Sequence, residues 1–154
     1  MPTPENHIEW KCHSFQDLSL EQLYAILQLR QEVFVVEQNC PYLDADGRDY
    51  SAHHLMGFIH HQLALYTRIF FIDNQKEGII GRVIVKEKYR KRGLGYDLMT
   101  ESEIRCIKMF SPKEITLGAQ AHLKSFYNRL GYSVCGDEYD EDGIPHLPMR
   151  KCIP

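Results

Sequence analysis

The stretch "RVIVKEKYRKRGLGYDLM", residues 82–99, decides the fold. A β-branched run typical of a central strand leads into five clustered cations, then two glycines, then an amphipathic run. Amide groups at a helix N-terminus are unpaired and bind anions, and Gly93 and Gly95 carry no Cβ to keep a phosphate away. The order predicts an anion-binding turn between strand and helix. The alternative is an exposed basic turn before a helix that begins with glycine.

Length and charge limit the classes of protein that this chain can form. Its 154 residues, 44% of them hydrophobic, suffice for one compact domain. We expect a flexible N-terminus over residues 1–6 and a single domain over residues 7–154. A formal net charge of -3 with mixed acids and bases gives no broad positive face, so we expect neither nucleic acid nor membrane as a partner.

The cysteines indicate the compartment. Five of them are scattered along the chain without a Cys-x-x-Cys pair, which predicts neither a disulfide framework nor a zinc knuckle. The first residues show no basic segment followed by an apolar one, and no apolar run is long enough to span a bilayer. We expect reduced thiols and a cytoplasmic location.

Hydrophobic spacing predicts the remaining elements. A helix is expected from Ser19, as N-cap with Gln22 completing a capping box, to about Gln38, where it bends or breaks. A second helix should end near Pro112 and a third at Gly131. The predicted order is β, α, β, β, β, α, β, α, β, β. Strand-helix-strand in the middle implies a partly parallel sheet covered by helices on both sides.

Two motifs resemble a known family. Arg90 to Gly95, after the β-branched strand, resembles the Arg/Gln-x-x-Gly-x-Gly/Ala signature of the GCN5-related N-acetyltransferases (GNAT). "QAHLKSFYNRLGY" resembles a second segment of that family, with Gln120 in place of its Asn and Tyr127 at its Tyr. "LYAILQLRQEVFVVEQNCPYLDADGRD" and "YDEDGIPHLPM" resemble the ElaA-like branch. The resemblance implies an α/β (α+β) GNAT fold, single domain, with a mixed, mostly antiparallel sheet of six to seven strands.

The resemblance also implies a function. The chain would move an acetyl group from acetyl-coenzyme A (acetyl-CoA), its co-substrate, to a primary amine by direct attack. The acceptor would be a small-molecule or peptide amine, and a homodimer is compatible with the sequence. By resemblance, the strand backbone would hold the pantetheine and acyl carbonyl, and the turn would hold the pyrophosphate. The implied cofactor-binding residues are Val83, Ile84, Val85, Arg90, Lys91, Arg92, Gly93, Leu94, Gly95, Tyr96 and Gln120.

Tyr127 is the predicted general acid by the same resemblance. Transfer from a thioester needs a proton for the departing thiolate, and a phenol close to the sulfur can donate it. The position of Tyr127 on an apolar helical face equally suits an ordinary buried tyrosine.

Arg30 is an oddity on the apolar face of the first helix, because a buried guanidinium needs an anion. Its expected partners are Glu37 or the acids of "DADGRD". One interpretation is an ion-pair network that orders this loop. In the other, surplus carboxylates attract a cationic amine, which Glu37 through water or one of the aspartates deprotonates. The substrate-binding residues are then Arg30, Asp44, Asp46, Asp49 and Arg68.

No metal site is predicted. Asp-x-Asp-Gly-x-Asp resembles a calcium loop but lacks the downstream bidentate Glu. The pairs His53-His54 and His60-His61 would alternate across a strand, so each contributes at most one ligand.

Two rival functions remain open. "LRQEVFVVEQ", the three spaced aspartates and Arg68 also resemble acyl-homoserine-lactone synthases, although the intact glycine turn favours a coenzyme A donor. The second rival is a non-catalytic acyl-CoA sensor or interaction module, against which the retained Tyr127 argues.

Overall fold

The computed structural model describes residues 7–154, so the predicted flexible end at residues 1–6 lies outside the described residues. The strands are β1 (Glu9–Ser14), β2 (His53–Ile59), β3 (Gln62–Ile72), β4 (Glu77–Val85), β5 (Glu114–Gln120), β6 (Ser133–Val134), β7 (Tyr139–Glu141) and β8 (Ile144–Cys152). The α-helices are α1 (Leu20–Arg30), α2 (Leu94–Phe110) and α3 (Lys124–Arg129).

The described strands form one mixed sheet in the order β1-β2-β3-β4-β5-β8-β6, with β7 also paired to β8. The β4–β5 pair is parallel and the other pairs are antiparallel. The prediction of six to seven strands was one short, because the segment taken as one strand contains both β6 and β7. The two pair with different parts of β8, β6 with Met149 and Arg150 and β7 with residues 144–146.

Helices cover both faces of the sheet, as predicted. Successive residues of a strand point to opposite faces, so Leu55 packs into a core beneath α2 while Met56 packs beneath α1. Leu65 and Tyr66 on β3 divide in the same way. The core under α2 also receives Tyr127 from α3.

The first predicted helix consists of two segments. The Ser19 hydroxyl accepts a hydrogen bond from the Gln22 backbone N–H, and the Gln22 side-chain oxygen accepts one from the Ser19 backbone N–H, so the predicted capping box is confirmed. The α-helix ends at Arg30, and a π-helical segment, Gln31–Glu37, continues the chain. There the Gln38 amide donates to the Val33 carbonyl at 3.2 Å. Such wide turns recur at functional sites because they redirect side chains.

The β2–β3 reversal is a two-residue turn made by His60 and His61, whose φ angles are 50° and 63°. Two positive φ angles match the right-handed twist of the strands that flank a hairpin. The predicted hairpin is therefore present, whereas the predicted alternation of His60 and His61 across a strand is wrong.

The parallel strands β4 and β5 are hydrogen-bonded over only part of their length. Their ladder covers Glu77 to Ile79 opposite Glu114 to Thr116, yet β4 continues to Val85 and β5 to Gln120. Beyond the ladder the two strands diverge, and β4 pairs with β3 alone. A bulge at Arg82, with φ of 51°, bends β4 at this point. The divergence leaves strand edges facing a gap in the middle of the sheet.

Candidate active site

A cleft of about 990 Å³ fills the gap between β4 and β5. Its walls come from the π-helical segment, β4, the start of α2, α3 and the β7–β8 hairpin. The predicted site residues that line it are Glu37, Arg68, Val83, Ile84, Val85, Arg90, Lys91, Gly93, Leu94, Gly95, Tyr96, Gln120 and Tyr127. The predicted site residues outside the lining are Arg30, Asp44, Asp46, Asp49 and Arg92.

The start of α2 presents amide groups to the cleft. Gly93 is the N-cap with φ of 76°, and no side chain caps the helix. Lys91 has φ of 64°, so two left-handed residues curve the loop into a concave turn of the kind that binds anions. A Cβ on Gly95 would lie 3.2 Å from the Phe126 ring, so this glycine lets α2 pack closely on α3.

Arg90 lines the cleft but makes contacts that the sequence did not predict. Its Nε donates to the Val85 carbonyl at 2.8 Å, and its two terminal nitrogens donate to the two carboxylate oxygens of Glu37. This bidentate ion pair raises the pKa of Arg90. Because all three guanidinium nitrogens have partners, the contacts favour a role in tying the loop to the π-helical segment over a pyrophosphate contact.

Glu37 is affected by the same contact. It lines the cleft as predicted, but both carboxylate oxygens accept hydrogen bonds from Arg90. Because both oxygens are already engaged, the geometry favours a structural carboxylate over a general base.

The side chains of Lys91 and Arg92 lie in different places at the turn. Lys91 lines the cleft, whereas Arg92 lies outside its lining with its guanidinium 5.7 Å from the Tyr89 ring. The predicted clamp of three cations therefore reduces, in the cleft, to Lys91 and the helix amides.

Tyr127, the predicted general acid, borders the cleft. Its side chain is only 5% exposed and packs on Phe126 and Tyr132. Burial raises the pKa of its phenol to about 12. The hydroxyl is therefore protonated at neutral pH and able to donate.

Three arginines and three aspartates form a closed ion-pair ring next to the cleft, in which each side chain contacts two of opposite charge. In order around the ring they are Arg30, Asp44, Arg82, Asp46, Arg68 and Asp49. The six contacts are 2.7 to 3.5 Å long. The contacts support the ion-pair network of the first interpretation, with Glu37 outside it.

The ring leaves no surplus carboxylate, because three guanidinium charges balance three carboxylates. The hypothesis that the aspartates attract a cationic amine loses its electrostatic basis. Asp44 and Asp49 are also buried, and Arg30 has no exposed surface. Their role as substrate-binding residues stays a prediction that these contacts disfavour.

Acid should destabilise the protein through the ring. Burial opposes ionisation of Asp46 and Asp49, but hydrogen bonds from Arg68 and Arg30 outweigh it and hold both pKa values below the usual range. Unfolded aspartate titrates near pH ~3.9. A lowered folded pKa stabilises the protein above that value, and the stabilisation is lost as pH falls toward the folded pKa.

The urea midpoint should therefore fall between about pH 6 and about pH 3, and Asp46→Asn should fall less over the same interval. An equal decrease in the two proteins would contradict the assignment to Asp46.

Several cleft residues were missed by the sequence prediction. Arg48, Phe70, Arg82, Glu141 and His146 all border it. Arg82 had a usable signal, a charged residue inside an apolar strand. His146 Nδ1 donates to the Ile144 carbonyl at 2.7 Å, and His146 Nε2 lies 3.2 Å from a Glu141 carboxylate oxygen, a contact that only the β7–β8 hairpin creates.

Other groups carry no site within residues 7–154. No cluster of three or more His, Cys, Asp or Glu side chains there is arranged to hold a metal ion. His54 is instead buried between the Tyr66 hydroxyl and the Asp49 carbonyl. The five cysteines are unpaired. No helix in this part of the chain is long and apolar enough to cross a membrane.

Comparison with known proteins agrees with the geometry. Residues 49–153 match the family model described as Acetyltransferase (GNAT) domain. The chain therefore belongs to the GNAT acetyltransferase family, the class that the divergent strands and the glycine turn define. Within it the chain falls in the ElaA-like branch, since it is 45% identical over 147 residues to protein ElaA of Escherichia coli, covering 94% of this chain and 96% of ElaA.

Solved structures give the same result. The crystal structure of Escherichia coli ElaA matches with a TM-score of 0.87 at 44% identity, covering 94% of this chain and 99% of that one. An acyl-CoA N-acyltransferase from Pseudomonas aeruginosa matches with a TM-score of 0.89 at 40% identity, covering 95% and 100%. The predicted GNAT fold is confirmed.

Proposed function

We propose that the protein is an acetyl-CoA-dependent N-acetyltransferase that acts on a primary amine by direct attack, in the cytoplasm. One observation carries the proposal: the unpaired edge of β4, the uncapped start of α2 and the Tyr127 hydroxyl border one cleft. The family membership and the likeness to an acyl-CoA N-acyltransferase support it.

The residues fit coenzyme A in extension along the cleft. The edge of β4 at Val83 to Val85 offers backbone groups that an extended pantetheine can pair with, as an added strand would. The amides of Leu94 and Gly95, at the positive end of a 17-residue helix, suit the pyrophosphate. Lys91 adds a full positive charge beside them.

The reaction needs one proton donor from the protein. The neutral amine nitrogen attacks the thioester carbonyl, the C–N bond forms and the C–S bond breaks. Tyr127 donates its proton to the departing sulfur, and the amine nitrogen releases one proton to solvent or a nearby base. The raised pKa of Tyr127 keeps the donor protonated before each turnover.

Gly93→Trp tests the cofactor assignment by calorimetry with coenzyme A. A Cβ at Gly93 meets no atom within 4 Å, so the indole projects from the turn and should block the pyrophosphate. We expect the dissociation constant to rise at least about tenfold, the equivalent of one lost charge-assisted contact.

Gly47→Trp is the matched control. Gly47 also has a left-handed backbone, φ of 80° against 76°, and equally open surroundings. It lies outside the cleft lining. The strain of the substitution is therefore shared, and equal affinity in the two variants would overturn the cofactor assignment.

The two rival functions give different outcomes in the same assays. A non-catalytic sensor would bind coenzyme A yet release no thiol with any amine. An acyl-homoserine-lactone synthase type of enzyme would take its acyl group from a carrier protein, and the amides of α2 that face the cleft favour coenzyme A as the donor.

A further inference from the structure

The guanidinium of Arg48, beside the ion-pair ring, indicates which chemical group of an acceptor could bind there. Arg48 is exposed, lines the cleft and forms no ion pair with any residue in 7–154. The ring itself is neutral, so none of its carboxylates is left over to neutralise Arg48, and the Arg48 guanidinium is available to an anionic group of a ligand.

Arg68 supplies a second, independent observation. Its Nε is buried and has no hydrogen-bond partner among the described residues, although its other nitrogens contact Asp46 and Asp49. A buried donor on a charged group without an acceptor is costly. Arg68 also borders the cleft, so an acceptor atom of a ligand would relieve that cost.

Phe70 brings the two arginines together. The guanidinium carbon of Arg48 lies 4.6 Å from the centre of the Phe70 ring, and that of Arg68 lies 4.9 Å from it. Contact with the ring orients each planar guanidinium; within residues 7–154 the N–H groups of Arg48 have no ion-pair partner, and in Arg68 only Nε is without an acceptor. Phe70 itself offers an apolar surface within the cleft.

The opposite charge lies in the same cleft. The β7–β8 hairpin contributes Glu141 and Asp142, and it is held to the loop after the π-helical segment by a hydrogen bond from the Cys40 thiol to the Asp142 carbonyl at 3.2 Å. The cleft therefore carries cations on one segment and carboxylates on another.

We infer that Arg48 and Arg68, stacked about Phe70, bind a carboxylate of the acceptor, so that the acceptor is an amino-acid-like amine. The single charge of the Arg48 guanidinium matches a carboxylate better than a phosphate ester, which carries about -1.5 to -2 at neutral pH. Arginine also matches the two oxygens of a carboxylate with parallel N–H donors. The inference rests on the proposed function, because it names the acceptor class of that same site.

The experiment compares amino acids with their decarboxylated amines and with the matching aminophosphonates. Release of free thiol from acetyl-CoA gives kcat/KM for each compound. We expect the carboxylated member of a pair to be preferred at least about tenfold, and Arg48→Gln to remove most of that preference. Arg150→Gln, an exposed arginine on β8 outside the cleft lining, is the charge-matched control and should keep the preference.

The possible results distinguish failure of the carboxylate subsite from failure of the proposed acetyltransferase function. Equal kcat/KM across the pairs, or a preference for the phosphonates, overturns the carboxylate subsite while the acetyltransferase proposal stands. Absence of thiol release with every amine overturns the proposed function. In that case calorimetry of the same compounds with the protein and coenzyme A still tests the subsite, since the carboxylated members should bind more tightly and lose this advantage in Arg48→Gln.

Discussion

Arg30→Met should lower the free energy of unfolding by about 3–5 kcal/mol, the usual result of removing one partner of a buried ion pair. Arg30 has no exposed surface and donates to Asp44 and Asp49 at 2.7 Å. Methionine fills much of the same volume but leaves two buried carboxylates without their shared cation. Urea unfolding of the two proteins gives the difference.

Two further measurements separate charge from packing. Arg150→Met changes an exposed arginine in the same way and should alter stability by no more than about 0.5 kcal/mol. The deficit of Arg30→Met should shrink toward acidic pH, because the wild type then loses the stabilisation that comes from the lowered pKa of Asp49, to which Arg30 contributes. A loss below about 1 kcal/mol at neutral pH would show that the ring contributes little to stability.

Tyr127→Phe should reduce kcat at least about 100-fold, the lower range for loss of a general acid. Only the hydroxyl is removed, so the ring still packs on Phe126 and Tyr132. The affinity for coenzyme A and the free energy of unfolding should therefore change little. Wild-type kcat should also show no decline from deprotonation of this phenol below about pH 11, since burial holds its pKa at about 12.

Tyr24→Phe controls for the loss of a phenol elsewhere. Tyr24 is 72% exposed on α1 and outside the cleft lining, so its hydroxyl should be dispensable. Thiol release at saturating substrates measures kcat in the three proteins. If Tyr127→Phe turns over at the wild-type rate, the phenol is not the proton donor and its burial serves packing alone.

The sequence predicted the turn before α2 well because all of its parts are contiguous. Strand, glycines and helix occupy residues 82–99, and their local preferences agree. The same local reasoning missed the ion pair of Arg90, since its partner Glu37 lies 53 residues away in the chain. A side chain in a cationic run can turn to a distant carboxylate, and spacing alone carries no sign of it.

The sequence by itself determined the family, the helices on both faces of the sheet, and the glycine turn with Tyr127 as candidate site residues. Only the tertiary structure decided the charge of the loop that carries Asp44, Asp46 and Asp49. The ion-pair ring closes through side chains from α1, the loop after it, β3 and β4, and its sum is zero only once all six are assembled. The sequence shows three aspartates in a loop, whereas in the folded protein each of them forms ion pairs with two arginines. Long-range pairing therefore cancelled the negative charge that the sequence predicted for this loop.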